Sequence, residues 1–252
     1  MNEIRVIGVK MDKEVYPGDD IAKLFIDAIK DNNIELLDND IIVIAHKIVS
    51  KAEGRIINLL DVEPSEEART LADVVDKDPR IVELILRESK KILKVESGHI
   101  ISLTHHNIVC ANAGIDKSNA GGENRVVLLP KNPDESALAI RKKIMEMTGR
   151  NVAVIISDTY GRPFRWGVIN LAVGFSGINP YRDYIGRMDR DGYIMTVTRV
   201  AVVDELASAA ELVIGQGAEN TPFAIVRGIE YIVDEEAGYS DIYMPMENWL
   251  FR

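Results

Sequence analysis

The sequence predicts a mixed α/β fold, a largely antiparallel sheet with flanking helices. Short β-branched runs alternate with stretches whose apolar residues recur at helical spacing. Several neighbouring runs are joined by connections too short for a parallel crossover, so they call for antiparallel pairing. With 252 residues, 46% of them hydrophobic, the chain can bury the core of one domain spanning 1–252, or of two lobes. No flexible linker, tandem repeat or low-complexity tract divides it.

The elements follow in order. Pro17-Gly18-Asp19-Asp20 leads into Ile21, Leu24, Phe25, Ala28 and Ile29, one apolar helical face with an aspartate placed to cap its first turn. Residues 41–45, IIVIA, read as a strand buried on both faces, ending in the polar stretch His46-Lys47 and SKAEG at 50–54. Pro64-Ser65 and Asp78-Pro79 are helix starts, and Ile81, Leu84, Ile85 and Ile92 give the second helix its stripe. Strands are expected at 100–103 and 107–111, then a glycine-rich loop at 113–122 and a short strand at 126–129. Asn132-Pro133 with Glu135 forms a capping-box pattern for a helix that stops near Gly149. Residues 152–156 form the next buried strand and run into Ser157-Asp158-Thr159. Beyond a glycine-rich middle come a strand at 194–200, a helix capped by Asp204 and reaching Val213, and a last core strand at 223–226.

Composition excludes several functions. A net charge of −10 argues against a nucleic-acid coat, so anionic ligands must be gathered by a local basic patch or a bound cation. No apolar run approaches membrane-span length and the opening MNEIRVIGVK has no secretory stretch, which points to the cytoplasm. Cys110 is the only cysteine, which removes disulfides and thiolate-clustered zinc, and HNIVCANAG reads as a buried strand thiol. Phosphate-loop, dinucleotide, zincin and nucleophile-elbow motifs are all absent. His105-His106, read as adjacent strand residues, point to opposite faces and cannot share one ion.

Asp158 and Thr159 sit where a buried strand gives way to a turn, and Asp116 follows another apolar run in NAGID. Two such carboxylates with neutral oxygens suit magnesium or manganese beside substrate phosphates. Spacing alone leaves another reading open, with Asp158 capping a turn and Asp116 forming an Asx turn. In Ile214-Gly215-Gln216-Gly217-Ala218-Glu219-Asn220-Thr221 the glycines admit close backbone approach to a phosphate or a base, while Gly215 also fits a helix C-cap. Arg162, Arg165, Arg182, Arg187 and Arg190, interleaved with Trp166 and Tyr181, form the best patch for an anionic partner, some of them pairing with Asp183, Asp189 and Asp191.

Taken in order, SKAEG at 50–54, NAGIDKSN at 112–119, ISDTYGRPFRWG at 156–167, GINPYRDYIGRMDRDG at 177–192 and IGQGAENTP at 214–222 resemble the coenzyme F420:L-glutamate ligase family over nearly the whole chain. The resemblance implies a GTP-dependent ligase adding L-glutamate to the lactyl carboxylate of coenzyme F420-0, then a second through a γ-linkage, releasing GDP and phosphate. It implies a divalent cation, Mg2+ or Mn2+, held by Asp116, Asp158, Thr159 and Gln216, with a monovalent ion such as K+ as a further cofactor. Some members place glutamate where this chain has Gln216. Nucleotide contacts would come from Asp12, Lys13, Glu14 and Val15, from His46, Lys47, Lys51 and Asn119, and from 214–221. The match at 12–15 is positional. Phosphoryl transfer relies on alignment and charge neutralisation, for which Lys51, Arg162 and Arg165 are the candidates. The family implies an intertwined homodimer of unusual mixed fold. Other readings are a γ-glutamyl ligase for a folate-like carboxylate and a GTP-binding module without turnover.

Overall fold

A computed structural model describes residues 3–96 and 98–250. The first two residues of the opening segment lie outside that range, and its remainder forms a strand the sequence reading did not anticipate, β1 (Arg5–Val9). Helix α1 (Ile21–Asp31) starts where expected, the Asp20 carboxylate accepting the N–H groups of Ala22 and Lys23. Strand β2 (Ile41–Ala45) follows, and the polar stretch after it is itself helical, α2 (His46–Ala52), leading to β3 (Ile56–Asn58). Helices α3 (Glu66–Val75) and α4 (Pro79–Arg87) carry the caps Ser65 and Asp78.

Ile92 is not on α4. The helix stops at Arg87, and Ile92 belongs to β4 (Ser89–Glu96), which pairs antiparallel with β5 (His99–Thr104). β6 (Val109–Ala111) starts later than expected because Asn107 takes a left-handed turn conformation, and His105 and His106 occupy that turn rather than a strand. β7 (Arg125–Val127) precedes α5 (Pro133–Thr148), capped by Asn132 and closed by a left-handed Gly149.

The second half departs further from expectation. β8 (Ala153–Gly161) continues through Ser157, Asp158 and Thr159 instead of turning, because the glycine-rich middle contains a partner strand, β9 (Val168–Ser176). Beyond β10 (Tyr181–Asp183), the expected strand at 194–200 shrinks to β11 (Arg199–Ala201) with one isolated bridge, Met188 to Ile194. Residues between them are mostly exposed and have no buried face to pay for ordering. In α6 (Val202–Ile214), Asp204 lies inside the first turn, and its carboxylate accepts the Ala172 N–H of β9 rather than capping. β12 (Phe223–Arg227) and a short α7 (Tyr239–Ile242) complete the elements.

The main sheet runs β1-β12-β2-β8-β9, antiparallel throughout except for the parallel pair β2/β8, as a mixed and largely antiparallel sheet. Strand alternation sends Ile42, Ile44, Val154 and Ile156 against α1 and α5, and Ile41, Val43, Ala153 and Ile155 against α6. Both faces are therefore covered, which is why β2 is apolar at every position and fully buried at all but its end. A separate apolar cluster joins α3 and α4 to Ile100 of β5. No helix among the described residues is long and apolar enough to cross a membrane.

Candidate active site

The carboxyl ends of the two parallel strands lie side by side. β2 stops at Ala45, opposite Ser157, while residues 158–161 of β8 run on with only β9 beside them. Such an end is where open α/β sheets hold ligands, and a cleft of about 190 Å³ opens here. Its walls are residues 11–15 after β1, the start of α2, β8 from Ser157 to Thr159, and the loop between α6 and β12.

Asp158 and Thr159 are consecutive in a strand and so address opposite sides of the sheet. On the α2 side, Asp158 Oδ1 lies 3.1 Å from Nε2 of His46, a side chain 2% exposed. That nitrogen is near enough for an ion pair yet too poorly aligned for a hydrogen bond, and the Ser157 hydroxyl is likewise buried without a partner. On the α6 side, Thr159 Oγ1 lies 3.1 Å from Gln216 Oε1 and 3.2 Å from Asn170 Oδ1, its cross-strand neighbour on β9.

Asp116 stands behind the cleft rather than on its wall. Its carboxylate binds Lys47 Nζ at 2.7 Å and accepts both the N–H and the hydroxyl of Ser118, the Asx-turn geometry that spacing alone had allowed. Burial by itself would raise its pKa, but Lys47 and Ser118 hold it below the usual carboxylate value. The two aspartates thus hang from consecutive residues of α2, His46 and Lys47. Asn119, two residues beyond Lys117, does line the cleft.

Residues 12–15 are tied in by Asp12, which accepts from Asn220 Nδ2 at 3.0 Å, and by Glu14, 3.3 Å from Lys51 Nζ. Gly215 is the C-cap of α6, and the Glu219 carboxylate folds back to accept the Gly217 N–H at 2.7 Å. Within the loop, Ala218 alone does not line the cleft. Lys13, Val15, Ile214, Gly215, Gln216, Gly217, Asn220 and Thr221 all do.

The arginine patch does not assemble in this chain. Arg162 and Arg165 sit on the exposed turn joining β8 to β9, where Arg162 donates to the Trp166 carbonyl at 2.5 Å. Arg182 donates to the Glu230 carbonyl at the far end of the sheet, and Arg187 stacks on Tyr184. Asp183 pairs with Arg199, while Asp189 accepts backbone N–H groups of its own turn. Cys110 is a structural thiol, its pKa pushed up to about 12 by burial first and by the nearby Asp158 charge second.

Two residues of the site escaped the sequence reading. Asn170, 4% exposed, was signalled only as a lone amide within the apolar run VINLAV. Glu211 carried no signal, being one acid among many on a helix. No group of three or more His, Cys, Asp or Glu side chains capable of holding a metal occurs among the described residues. Thr159, Asn170 and Gln216 bring hard oxygens together on one side of β8, and Asp158 offers its carboxylate to the same cleft from the other. They fit magnesium or manganese that keeps water and phosphate ligands, and do not fit a thiolate or imidazole metal.

A polar cleft with lysines, a glycine-rich loop and side-chain oxygen donors at the ends of parallel strands belongs to an enzyme of small anionic substrates. Comparison with known proteins narrows this class. The model of the F420-0:gamma-glutamyl ligase family matches residues 8–228. The coenzyme F420:L-glutamate ligase of Methanothermobacter thermautotrophicus is 48% identical over 250 residues, 99% of each chain. That of Methanopyrus kandleri is 46% identical over 227 residues, 90% of this chain and 88% of its own. That of Methanocaldococcus jannaschii is 46% identical over 215 residues, 85% of each. The chain belongs to the F420-0:gamma-glutamyl ligase family, and it is an acid–amino-acid ligase.

Proposed function

We propose that this chain uses GTP to join L-glutamate to the lactyl carboxylate of coenzyme F420-0, then adds a second glutamate through a γ-linkage. One observation carries the reading: residues 12–15, Lys51 and the 214–221 loop line the same cleft as Asp158 and Thr159. A carboxylate oxygen is a poor leaving group, so the acceptor is first activated. Its oxygen attacks the γ-phosphorus, the bond from that phosphorus to the β–γ bridging oxygen breaks, and GDP departs. The glutamate amine then attacks the acyl carbon, the carbon–oxygen bond to phosphate breaks, and phosphate and one proton are released.

Most of the catalysis is alignment and charge neutralisation. Lys51, whose side chain is 13% exposed and, among the described residues, has Glu14 as its one charged partner at 3.3 Å, is placed to meet a phosphate. Lys47 can exchange Asp116 for the same role. The glycine loop brings backbone N–H groups to the triphosphate. Asp158 on one side of β8, joined by Asp116 once Lys47 leaves it, and Thr159 with Gln216 on the other would hold Mg2+ or Mn2+, which supplies charge neutralisation at the phosphoryl oxygens. A homodimer completes the proposal. Ile185, Met188, Tyr193, Ile194 and Val197 on the arm around β10 and β11, with Phe164 and Trp166 on the β8–β9 turn, expose apolar surface that a second copy would cover.

Mass spectrometry of coenzyme F420-0 incubated with the protein, GTP, manganese and glutamate tests the reading. Increments of one and two glutamyl groups with matching GDP are expected. Growth only of a folate-like carboxylate would move the acceptor, and GTP binding with no glutamate-dependent GDP release would leave a binding module.

A further inference from the structure

Gln216 supplies a carboxamide where a cation site more often has a carboxylate, and a carboxamide must face the right way. Its oxygen can bind a cation and its nitrogen cannot. The shortest contact of Gln216 Nε2 is with Glu211 Oε1, at 2.7 Å. The same nitrogen lies 2.9 Å from Thr159 Oγ1 and 3.4 Å from Asn170 Oδ1. Glu211 stands in the last turn of α6, where its carbonyl also accepts the Gly215 N–H at 2.9 Å. One residue thereby sets both the exit of the chain from the helix and the rotation of the amide that follows. Glu211 is partly buried and, among the described residues, has no lysine or arginine within ion-pair distance. Its charge is therefore spent on an amide at the rim of the cleft.

We propose that Glu211 is a positioning residue of the cation site: by holding the Gln216 amide nitrogen it turns the amide oxygen toward the cation, beside Thr159. Asn170 acts in the same sense on the other side. Its Oδ1 accepts the Thr159 hydroxyl proton, so that of the two Oγ1 lone pairs one accepts from Gln216 Nε2 and the other is left for the ion. The inference rests on the ligase reading above, in which Thr159 and Gln216 are cation ligands. Outer partners of this kind change metal affinity by roughly 10–100-fold when removed.

The test measures Mn2+ alone binding to the full-length chain, by electron paramagnetic resonance of the free ion, with a thermal melt of each variant as the folding control. Glu211→Ala should weaken Mn2+ at least about tenfold, and Glu211→Gln, which keeps an accepting oxygen, should lose less. A carboxylate at 216 has two equivalent oxygens and requires no orientation. In a Gln216→Glu background, Glu211→Ala should therefore cost nothing or gain, since it also removes a like charge. Wild-type affinity in Glu211→Ala, or an equal loss in both backgrounds, overturns the inference. Asp158→Asn separates the two layers. If it abolishes Mn2+ binding while Glu211→Ala does nothing, only the positioning role fails. If it leaves binding intact, or if the wild type binds no Mn2+, the cation site of the ligase reading fails too and this inference with it.

Discussion

Replacing Gly215 by alanine probes the loop that ends α6. Gly215 has φ 73° and ψ 179°, a combination open essentially to glycine alone. Any side chain there costs about 1–3 kcal/mol in backbone strain. A Cβ would also come within 2.7 Å of both Glu219 carboxylate oxygens, so that side chain must leave and its bond to the Gly217 N–H is lost. Because Glu219 is exposed, that loss contributes only about 0.5–1.5 kcal/mol. The sum is about 1.5–4.5 kcal/mol, or roughly 3–18 °C in Tm for a chain of this size. Calorimetry or urea denaturation reads the stability, and the KM for GTP reads the displaced loop, which should rise. Adding Glu219→Ala removes the clash and leaves the strain, so at least about 1 kcal/mol should persist. A Gly215→Ala protein melting within about 2 °C of wild type would show that neither the strain nor the clash is present.

Asp158→Asn should slow ligation by about a thousandfold at saturating manganese while leaving the melt nearly unchanged, and retained turnover would remove Asp158 from the reaction. The Arg141 guanidinium, 2% exposed, donates to the Val152 carbonyl at 2.6 Å, to Asn151 at 3.2 Å and to both Glu235 oxygens. Arg141→Met should cost about 2–4 kcal/mol in urea denaturation, and a loss below about 0.5 kcal/mol would show that the clamp between α5 and residues 229–238 holds nothing. The Ser65 hydroxyl and N–H, with Arg87, lower the Glu83 pKa from 4.5 to about 2. The stabilisation it gives is complete above pH 4.5 and is lost as pH falls toward 2. The Tm difference between wild type and Glu83→Gln should therefore shrink across that window, and a difference independent of pH would contradict the assignment.

Local chemistry was enough for much of the scaffold. Asp20, Ser65, Asp78 and Asn132 announce their helices because a cap is a bond between residues at most three apart, with no distant partner needed. The runs at 41–45 and 223–226 read as core strands because both faces of the main sheet are covered and each strand must be apolar almost throughout. The ordered motifs also carried the family. They could not carry pairing. β9 was hidden in a glycine-bearing stretch, since a strand exists only when another accepts its hydrogen bonds, and β8 supplies that ladder from the opposite side of the arginine turn.

Site assembly was equally a tertiary matter. Asp158 and Thr159 meet α2 and the end of α6 respectively because β8 outruns β2, and strand alternation then sends neighbours to opposite faces. The arginines from 162 to 190 cluster in the chain but disperse to the two ends of the sheet in the fold. Glu211 and Asn170 became part of the site only when helix and strand were laid against the loop carrying Gln216. Caps, core strands and family were legible along the chain, because their causes are short-range or written in order. The tertiary structure alone decided which oxygens share one cleft, because that depends on strand register and crossing, which no local free energy encodes.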